Sequence, residues 1–265
     1  MADPGEAWVI ETSGRHWVAR RTTRGATIAN LVTIEDDWDE CSEGVEAHAR
    51  AMGYWSAPPS ARLNFRAAYE DVAARAWTED RYGVGCRLLA DTKEHSIAGM
   101  MRYLRDHFEA GLVNGPQPEG SPPRRTVCLH PGITSNATAA SMVVELRADE
   151  LPPLAWVSMA TPCTSIFLPV TVGQRLPGTH EVGGQQSSRD SAWWAMRELQ
   201  DIIDRDPSKL APVAQAAWAA IEQDLVSHRR RLSPDELEAL TAQVLKRRDE
   251  LAIMFKAHHV EGQRP

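Results

Sequence analysis

The sequence predicts a mixed α+β protein. Short runs rich in β-branched and aromatic residues open the chain, as is typical of strands. From residue 64 the apolar residues recur at the three- and four-residue spacing of one helix face. Strand-like runs return between residues 126 and 160, and helical spacing dominates after residue 184. With 265 residues, 43% hydrophobic and 25% charged, the chain is long enough for one large domain or two small ones.

The first elements form a predicted β-meander. Residues 7–11 and 16–20 are two strand-like runs joined by Ser13 and Gly14, a pair that signals a hairpin. Residues 26–34 are the expected third strand. Because the chain opens inside a meander, we expect that an earlier segment of the protein is missing.

Helices are predicted after Asn64, which suits an N-cap. The face of the first helix would comprise Phe65, Ala68, Tyr69, Val72 and Ala76. A second helix would run through Val84, Leu88 and Leu89. A third, capped by Ser96, would bury Ile97, Met100, Met101 and Leu104. The proline-rich stretch 115–123 is expected to be an exposed loop, since proline lacks the amide proton that helices and central strands need.

The second half combines strands with a helical tail. Strands are predicted at 126–129, 137–146 and 154–160, followed by a glycine-rich loop at 173–184. Two apolar stripes come next, Ala192, Met196, Leu199 and Ile203, then Val213, Ala217, Ile221 and Leu225. The last helix begins where Ser233 caps and Glu236 closes a capping box. Its apolar stripe is Leu237, Leu240, Val244, Leu251 and Phe255.

Composition excludes several classes of protein. Lys plus Arg total 29 against 36 for Asp plus Glu, and the resulting net charge of -7 disfavours a nucleic-acid partner. No apolar run approaches the roughly 18–20 residues of a membrane span, and no secretory signal opens the chain, so we expect a cytoplasmic protein without a membrane partner. The four scattered cysteines include no CxxC pair, which favours free thiols over a disulfide framework or a zinc knuckle.

Several polar patterns have both a functional and a structural interpretation. Cys128 and His130 would share one strand face, where a thiol and an imidazole could meet, but a buried structural cysteine is the favoured interpretation. Cys163 could be a nucleophile in a turn, yet no base is evident nearby. His258 and His259 point about 100° apart, which rules out an i, i+4 metal pair. The acidic run 35–40 is interpreted as a solvated loop, and the basic triplets 229–231 and 246–248 as exposed faces of helices.

Two further residues are unusual for their surroundings. Asn30 lies in an apolar run, where a side-chain amide needs partners or destabilises the fold. A bulge or a strand-end turn is its ordinary explanation. Arg81 follows two acidic residues at an expected helix start, where a cation opposes the helix dipole. A partner elsewhere in the fold would explain Arg81.

Several short segments follow one another in a distinctive order. They are residues 6–17 (EAWVIETSGRHW), Asn30, 80–82 (DRY), 138–143 (TAASMV), 162–169 (PCTSIFLP) and 191–194 (SAWW). From about residue 5 to about residue 200, this order resembles that of the secernin and dipeptidase family of cysteine N-terminal-nucleophile hydrolases.

The resemblance implies a four-layered αββα sandwich that cleaves amide bonds, typically of dipeptides, by acyl transfer. The family's nucleophile is an N-terminal cysteine whose own amine acts as the base. This chain has no such residue, so the leading strands and the nucleophile are expected to be missing. By position in the pattern, Asn30 resembles an oxyanion-hole donor, and Arg81 resembles the arginine that favours the thiolate.

We therefore interpret residues 1–175 as the C-terminal portion of an αββα domain and 176–265 as a helical region. The expected function is dipeptide or small-amide hydrolysis, with the cysteine supplied by an upstream segment or subunit and with no cofactor or metal. The chain alone is expected to be inactive. The alternative is a non-catalytic, secernin-like interaction protein.

Overall fold

The computed structural model describes residues 1–107, 126–130, 137–149 and 151–261, without the side chains of 74, 76, 77 and 258–261. The proline-rich stretch 115–123 and the side chains of His258 and His259 therefore lie outside the described residues. The chain is a mixed α+β protein with two small antiparallel sheets. It forms two compact units, the first built on Met1–Glu94 and the second on the described residues that follow. The boundary expected at residue 175 comes from the resemblance and stays a prediction.

The first unit contains a three-stranded sheet and three helices. Its strands are β1 (Ala7–Ser13), β2 (His16–Thr22) and β3 (Glu40–Cys41), in the order β1-β2-β3. Its helices are α1 (Val45–Ala51), α2 (Phe65–Tyr69) and α3 (Val72–Ala90). The predicted hairpin is confirmed: Ser13 pairs with His16, and Gly14 adopts the positive φ of 59° that the tight turn requires. The core comprises Val9, Val18, Ile34, Val45, Ala49, Leu63 and Phe65.

The expected third strand at residues 26–34 does not form. Its backbone donors are instead taken by a side chain, because the Glu11 carboxylate accepts hydrogen bonds from the amides of Thr33 and Ile34. Glu11 is itself buried in β1. The short β3 completes the sheet by pairing with Val18 and Ala19 of β2.

The helix expected from residue 64 is divided in two. Asn64 caps α2 as predicted, since its side chain accepts from the Ala67 amide. The backbone turns extended at Glu70, and Asp71 caps α3 by accepting from Ala73. Val72 therefore begins a new helix and is 75% exposed instead of continuing the first apolar face.

The second unit contains the other sheet and the remaining helices. The described elements are α4 (Ile97–Leu104), β4 (Ala140–Glu145), β5 (Leu154–Met159), β6 (Leu168–Thr171), α5 (Gly178–Glu181), α6 (Ala192–Ile203), α7 (Pro207–Ser227) and α8 (Pro234–Glu261). The strands are antiparallel in the order β4-β5-β6. The predicted strand at 126–129 is absent, and this segment is irregular. Ser96 caps α4 as expected, accepting from the Gly99 amide.

The helical tail largely follows its apolar spacing. The α6 stripe and most of the α8 stripe are buried, and the predicted capping box forms between Ser233 and Glu236. In α7 the buried face differs, because Ala214 and Trp218 are buried while Val213 is 44% exposed. None of the described helices combines the length and apolarity that a membrane-crossing segment needs.

The two basic triplets are not both solvated helix surface. Residues 229–231 follow the end of α7 at Ser227. Arg248 is buried within α8, where its Nε donates to the Ala195 carbonyl of α6 at 2.7 Å. A guanidinium at this position joins the two helices, which the charge pattern alone did not indicate.

Candidate functional sites

Asn30 and Arg81, the two residues singled out by the resemblance, are in direct contact within the first unit. Arg81 Nη2 donates to Asn30 Oδ1 at 2.6 Å. Arg81 lies in the third turn of α3 and not at a helix start, which corrects the sequence interpretation. The sequence indicated that Arg81 has a partner elsewhere in the fold, and Asn30, 51 residues away in the chain, is one such partner.

The segment around Asn30 lies close against α3. Thr78 Oγ1 donates to the Asn30 carbonyl at 3.4 Å. A Cβ at Gly85 would lie 2.5 Å from the Thr27 side chain, so the approach requires glycine at this position. Asn30 is exposed, and its Oδ1 accepts from Arg81, which restricts the orientation of the side-chain amide. Such a fixed amide suits stabilisation of a developing negative charge.

A second group of polar side chains meets inside the other unit. It comprises His107, Cys128, His130 and Cys163, whose nitrogen and sulfur atoms all lie within 4.8 Å of one another. His130 Nε2 lies 3.0 Å from Cys163 Sγ, 3.7 Å from Cys128 Sγ and 3.2 Å from His107 Nε2. Both cysteines are buried. We call these four residues the Cys–His cluster.

Asp204 orients the central imidazole from behind. Its Oδ1 lies 2.7 Å from His130 Nδ1, and its Oδ2 accepts from Gln200 Nε2 at 3.2 Å. Gln200 lies in the last turn of α6, and Asp204 is the C-cap residue of that helix. The carboxylate thus holds the Nδ1 proton of His130, and the Nε2 atom faces the other three members of the cluster.

The loop that carries Cys163 is buried and held by side chains from two helices. Arg105 donates to the carbonyls of Pro162 and Ser165 and to both oxygens of Glu222. Glu222 also accepts from the Phe167 amide at 2.9 Å, and Trp218 Nε1 donates to the Thr164 carbonyl at 3.0 Å. These bonds satisfy backbone groups that burial would otherwise leave unpaired. Cys163 is therefore fixed in position.

A second segment brings His107 and Cys128 together. The Cys128 amide donates to the Asp106 carbonyl at 3.1 Å, beside His107 at the end of the α4 region. The Leu129 amide donates to Thr138 Oγ1 at 2.9 Å, just before β4. The irregular segment 126–130 is thus attached at both sides, so Cys128 and His130 meet although they do not lie on a strand.

The protonation of the Cys–His cluster disfavours a reactive thiolate. Contact with Cys128 and burial raise the pKa of Cys163 to about 12, although both imidazoles act in the opposite direction. Burial opposes protonation of His130, but its hydrogen bonds to Asp204 and Cys163 raise its pKa to about 10. Near pH 7, Cys163 is accordingly a protonated thiol. It is also only 2% exposed, which leaves a substrate no access to the sulfur.

The sequence interpretation missed most of this cluster. It found the proximity of Cys128 and His130 but left both in ordinary structural roles, and it found no base near Cys163. The structure places His130 beside Cys163, and adds His107 and Asp204. The Cys-x-His spacing at 128–130 was the available signal; the other members come from segments whose approach depends on tertiary structure.

Comparison with known protein families gave no assignment, since no family model matches the sequence.

Proposed function

We propose that the chain is part of a cysteine-type amide hydrolase similar to the secernin and dipeptidase family, acting on dipeptides or small amides. The observation that carries the proposal is the 2.6 Å contact between Arg81 Nη2 and Asn30 Oδ1. The resemblance assigns a role in the active site to each of these two residues, which lie 51 positions apart in the chain. The αββα sandwich, with a helical region after residue 175, belongs to the same proposal.

Asn30 would act as an oxyanion-hole donor. Its Oδ1 is engaged by the guanidinium, which fixes the amide plane and directs Nδ2 away from Arg81. A donor that is already oriented stabilises charge developing on a substrate carbonyl without reorganising during the reaction. Arg81 would also place a permanent positive charge near the reacting thiol, which favours its thiolate form.

The nucleophile would come from a segment outside this sequence. Cys128 and Cys163 belong to the Cys–His cluster, Cys41 lies in β3 and Cys86 lies within α3. None of them is an N-terminal cysteine with a free α-amine, the combination that supplies nucleophile and base together in the proposed chemistry. An upstream segment or separate subunit that begins with cysteine after processing would complete the site.

The test is reconstitution of dipeptide hydrolysis. We expect the full chain alone to be inactive and to become active when co-expressed with the polypeptide encoded directly upstream, provided that this begins with a processed cysteine. In the active complex, Asn30→Ala should lower kcat on the order of 10²-fold or more, because the oxyanion loses a fixed donor.

Asn64→Ala is the matched control. It removes another asparagine side chain of the same unit, the N-cap of α2, and should affect stability without a comparable effect on kcat. Hydrolysis by the chain alone, or an Asn30→Ala complex as fast as the wild type, would contradict the proposal.

A non-catalytic interaction protein is the second candidate, and the exposed apolar face of β4 favours it. Met142 is 61% exposed and Val144 is 37% exposed, on the side of the strand opposite the buried Val143. Contiguous apolar side chains on an edge strand suit association with another polypeptide. This candidate predicts a complex that lacks hydrolytic activity even when the upstream polypeptide is present.

A further inference from the structure

We propose that His107, Cys128, His130 and Cys163 form a closed, four-ligand site for Zn²⁺ within the second unit. This site is independent of the proposed hydrolase function and involves neither Asn30 nor Arg81. The inference starts from composition: two thiols and two imidazoles are the ligand set that zinc prefers in tetrahedral structural sites. The four donor atoms converge from three separate segments of the chain.

The spacing of the donor atoms fits one zinc ion. Bond lengths of about 2.0–2.1 Å to nitrogen and 2.3 Å to sulfur place tetrahedral ligands about 3.3 Å apart for two nitrogens and about 3.6 Å for nitrogen and sulfur. The corresponding separations are 3.2 Å between the imidazoles of His107 and His130, and 3.0 and 3.7 Å from His130 to the two sulfurs. These three separations lie within about 0.6 Å of the tetrahedral values, and since all four donor atoms lie within 4.8 Å of one another, side-chain shifts of up to about 1 Å would close the cluster around the ion.

Asp204 supplies the outer hydrogen bond that histidine ligands of metals usually make. With its Nδ1–H directed at the Asp204 carboxylate, His130 would present the Nε2 lone pair to the centre of the cluster once the Nε2 proton is released. Binding would release that proton together with the two thiol protons, so that two thiolates balance the dipositive ion and both imidazoles bind as neutral ligands. Gln200 in turn orients Asp204.

Burial favours a structural metal over catalytic alternatives. A catalytic zinc keeps an open position for water or substrate, whereas here four protein donors complete the coordination and both cysteines are buried. The Cys163, His130 and Asp204 side chains also have the order of a nucleophile, a base and an orienting acid. Such an array needs a substrate to reach Cys163, and it leaves His107 and Cys128 without a role.

The ion would tie together the segment after α4, the irregular segment 126–130 and the loop between β5 and β6. The segment 126–130 has no regular secondary structure and is attached to the rest of the unit by the backbone hydrogen bonds of Cys128 and Leu129. Metal–ligand bonds would add to that attachment, so zinc binding would contribute directly to the stability of the folded unit.

The test is the zinc content of the full-length chain purified from zinc-supplemented cells without chelators. We expect about one zinc ion per chain, and replacement by Co²⁺ should give the intense thiolate-to-metal charge-transfer absorption of a tetrahedral thiolate site. Removing the metal with a chelator should lower the midpoint of thermal unfolding, and adding zinc back should restore it.

Variants distinguish the cluster from other thiols. Cys163→Ser should lower bound zinc by at least about tenfold, whereas Cys41→Ser, at a half-buried cysteine of the other unit, should retain it. Because a ligand variant can fail to fold, Asp204→Asn provides a second measurement: it keeps all four ligands and should weaken zinc affinity about 10–100-fold.

The proposal is overturned by a folded, full-length chain without zinc under these conditions, or by a Cys128–Cys163 disulfide in the protein as purified. Equal zinc contents of Cys163→Ser and the wild type would also overturn it, since the variant lacks one of the four proposed ligands.

Discussion

Glu11 has a buried carboxylate whose hydrogen bonds set the path of the chain after β2. It is 7% exposed, and it accepts from the amides of Thr33 and Ile34 and from the Thr33 hydroxyl. A buried charge of this kind is stabilised only while its donors remain in place, and the donors are equally dependent on it. Thr33 and Ile34 follow Asn30 closely in the chain, so the same bonds also restrain the segment that contains Asn30.

Glu11→Gln should destabilise the first unit by about 1–3 kcal/mol, because the amide group turns a donor toward backbone donors and leaves one of them unsatisfied. Chemical denaturation monitored by tryptophan fluorescence measures the change. Glu43→Gln, at an exposed carboxylate before α1, is the matched control and should change stability by less than about 0.5 kcal/mol. Equal stabilities for Glu11→Gln and the wild type would show that these bonds do not hold the loop.

At the level of helices and strands, α6 and α8 are joined by a group of charges around Arg248. Its guanidinium is buried, bonds the Ala195 carbonyl and pairs with Glu198. Lys256 Nζ lies 3.0 Å from the other Glu198 oxygen. Hydrogen bonds from Arg248 and then Lys256 lower the pKa of Glu198 to about 2, from an ordinary value of 4.5.

The sign of this shift predicts an acid-dependent loss of stability. A carboxylate with a lowered folded-state pKa contributes its full stabilisation above about pH 4.5 and loses it as the pH falls toward 2. Since 53% of the Glu198 side chain is exposed, solvent screening limits the contribution to about 1 kcal/mol. The difference in unfolding free energy between wild type and Glu198→Gln should be present at pH 6 and shrink below about pH 4.5.

Glu250→Gln serves as the comparison, since Glu250 is an exposed carboxylate of α8 that pairs with Arg247 at 3.0 Å. The contact with Arg248 would not stabilise the carboxylate if the unfolding free energy of Glu198→Gln differed from that of the wild type by the same amount at every pH. The same conclusion would follow if Glu198→Gln and Glu250→Gln showed the same pH dependence.

Local signals predicted local structure well. The Ser13-Gly14 hairpin, the Asn64 and Ser96 caps and the Ser233 capping box each depend on residues within one or two turns of the chain. The third strand could not be excluded in this way, because Glu11 acts across 22 residues on Thr33. A segment with high β propensity does not form a strand where the side chain of a distant polar residue accepts the hydrogen bonds of its backbone amides.

The same distinction applies to the candidate sites. The resemblance indicated Asn30 and Arg81, and their contact spans 51 residues. The Cys–His cluster depends on longer connections, since His130 meets Cys163 across 33 residues and Asp204 across 74. No spacing rule for short metal motifs includes such separations. Only the packing of the second unit brings these donors together.

For the molecule as a whole, we expect β4 to influence behaviour in solution. Among the described residues β4 pairs with β5 alone, and its outward row includes Met142 and Val144. An apolar edge strand presents unpaired backbone groups together with apolar side chains, a combination that favours pairing with another strand. The strand that pairs with β4 could belong to an upstream segment or to a second copy of this chain.

We therefore expect the purified chain to self-associate as its concentration rises, and Val144→Lys to shift it toward the monomer. A lysine on an edge strand hinders strand pairing, because association would bring its charge against the apolar row of the incoming strand. Val72→Lys is the matched control, since Val72 is 75% exposed at the start of α3 and belongs to no strand. Sedimentation velocity over a range of concentrations measures the distribution of species. A wild-type chain that stays monomeric, or an equal shift in both variants, would mean that the β4 edge does not drive association.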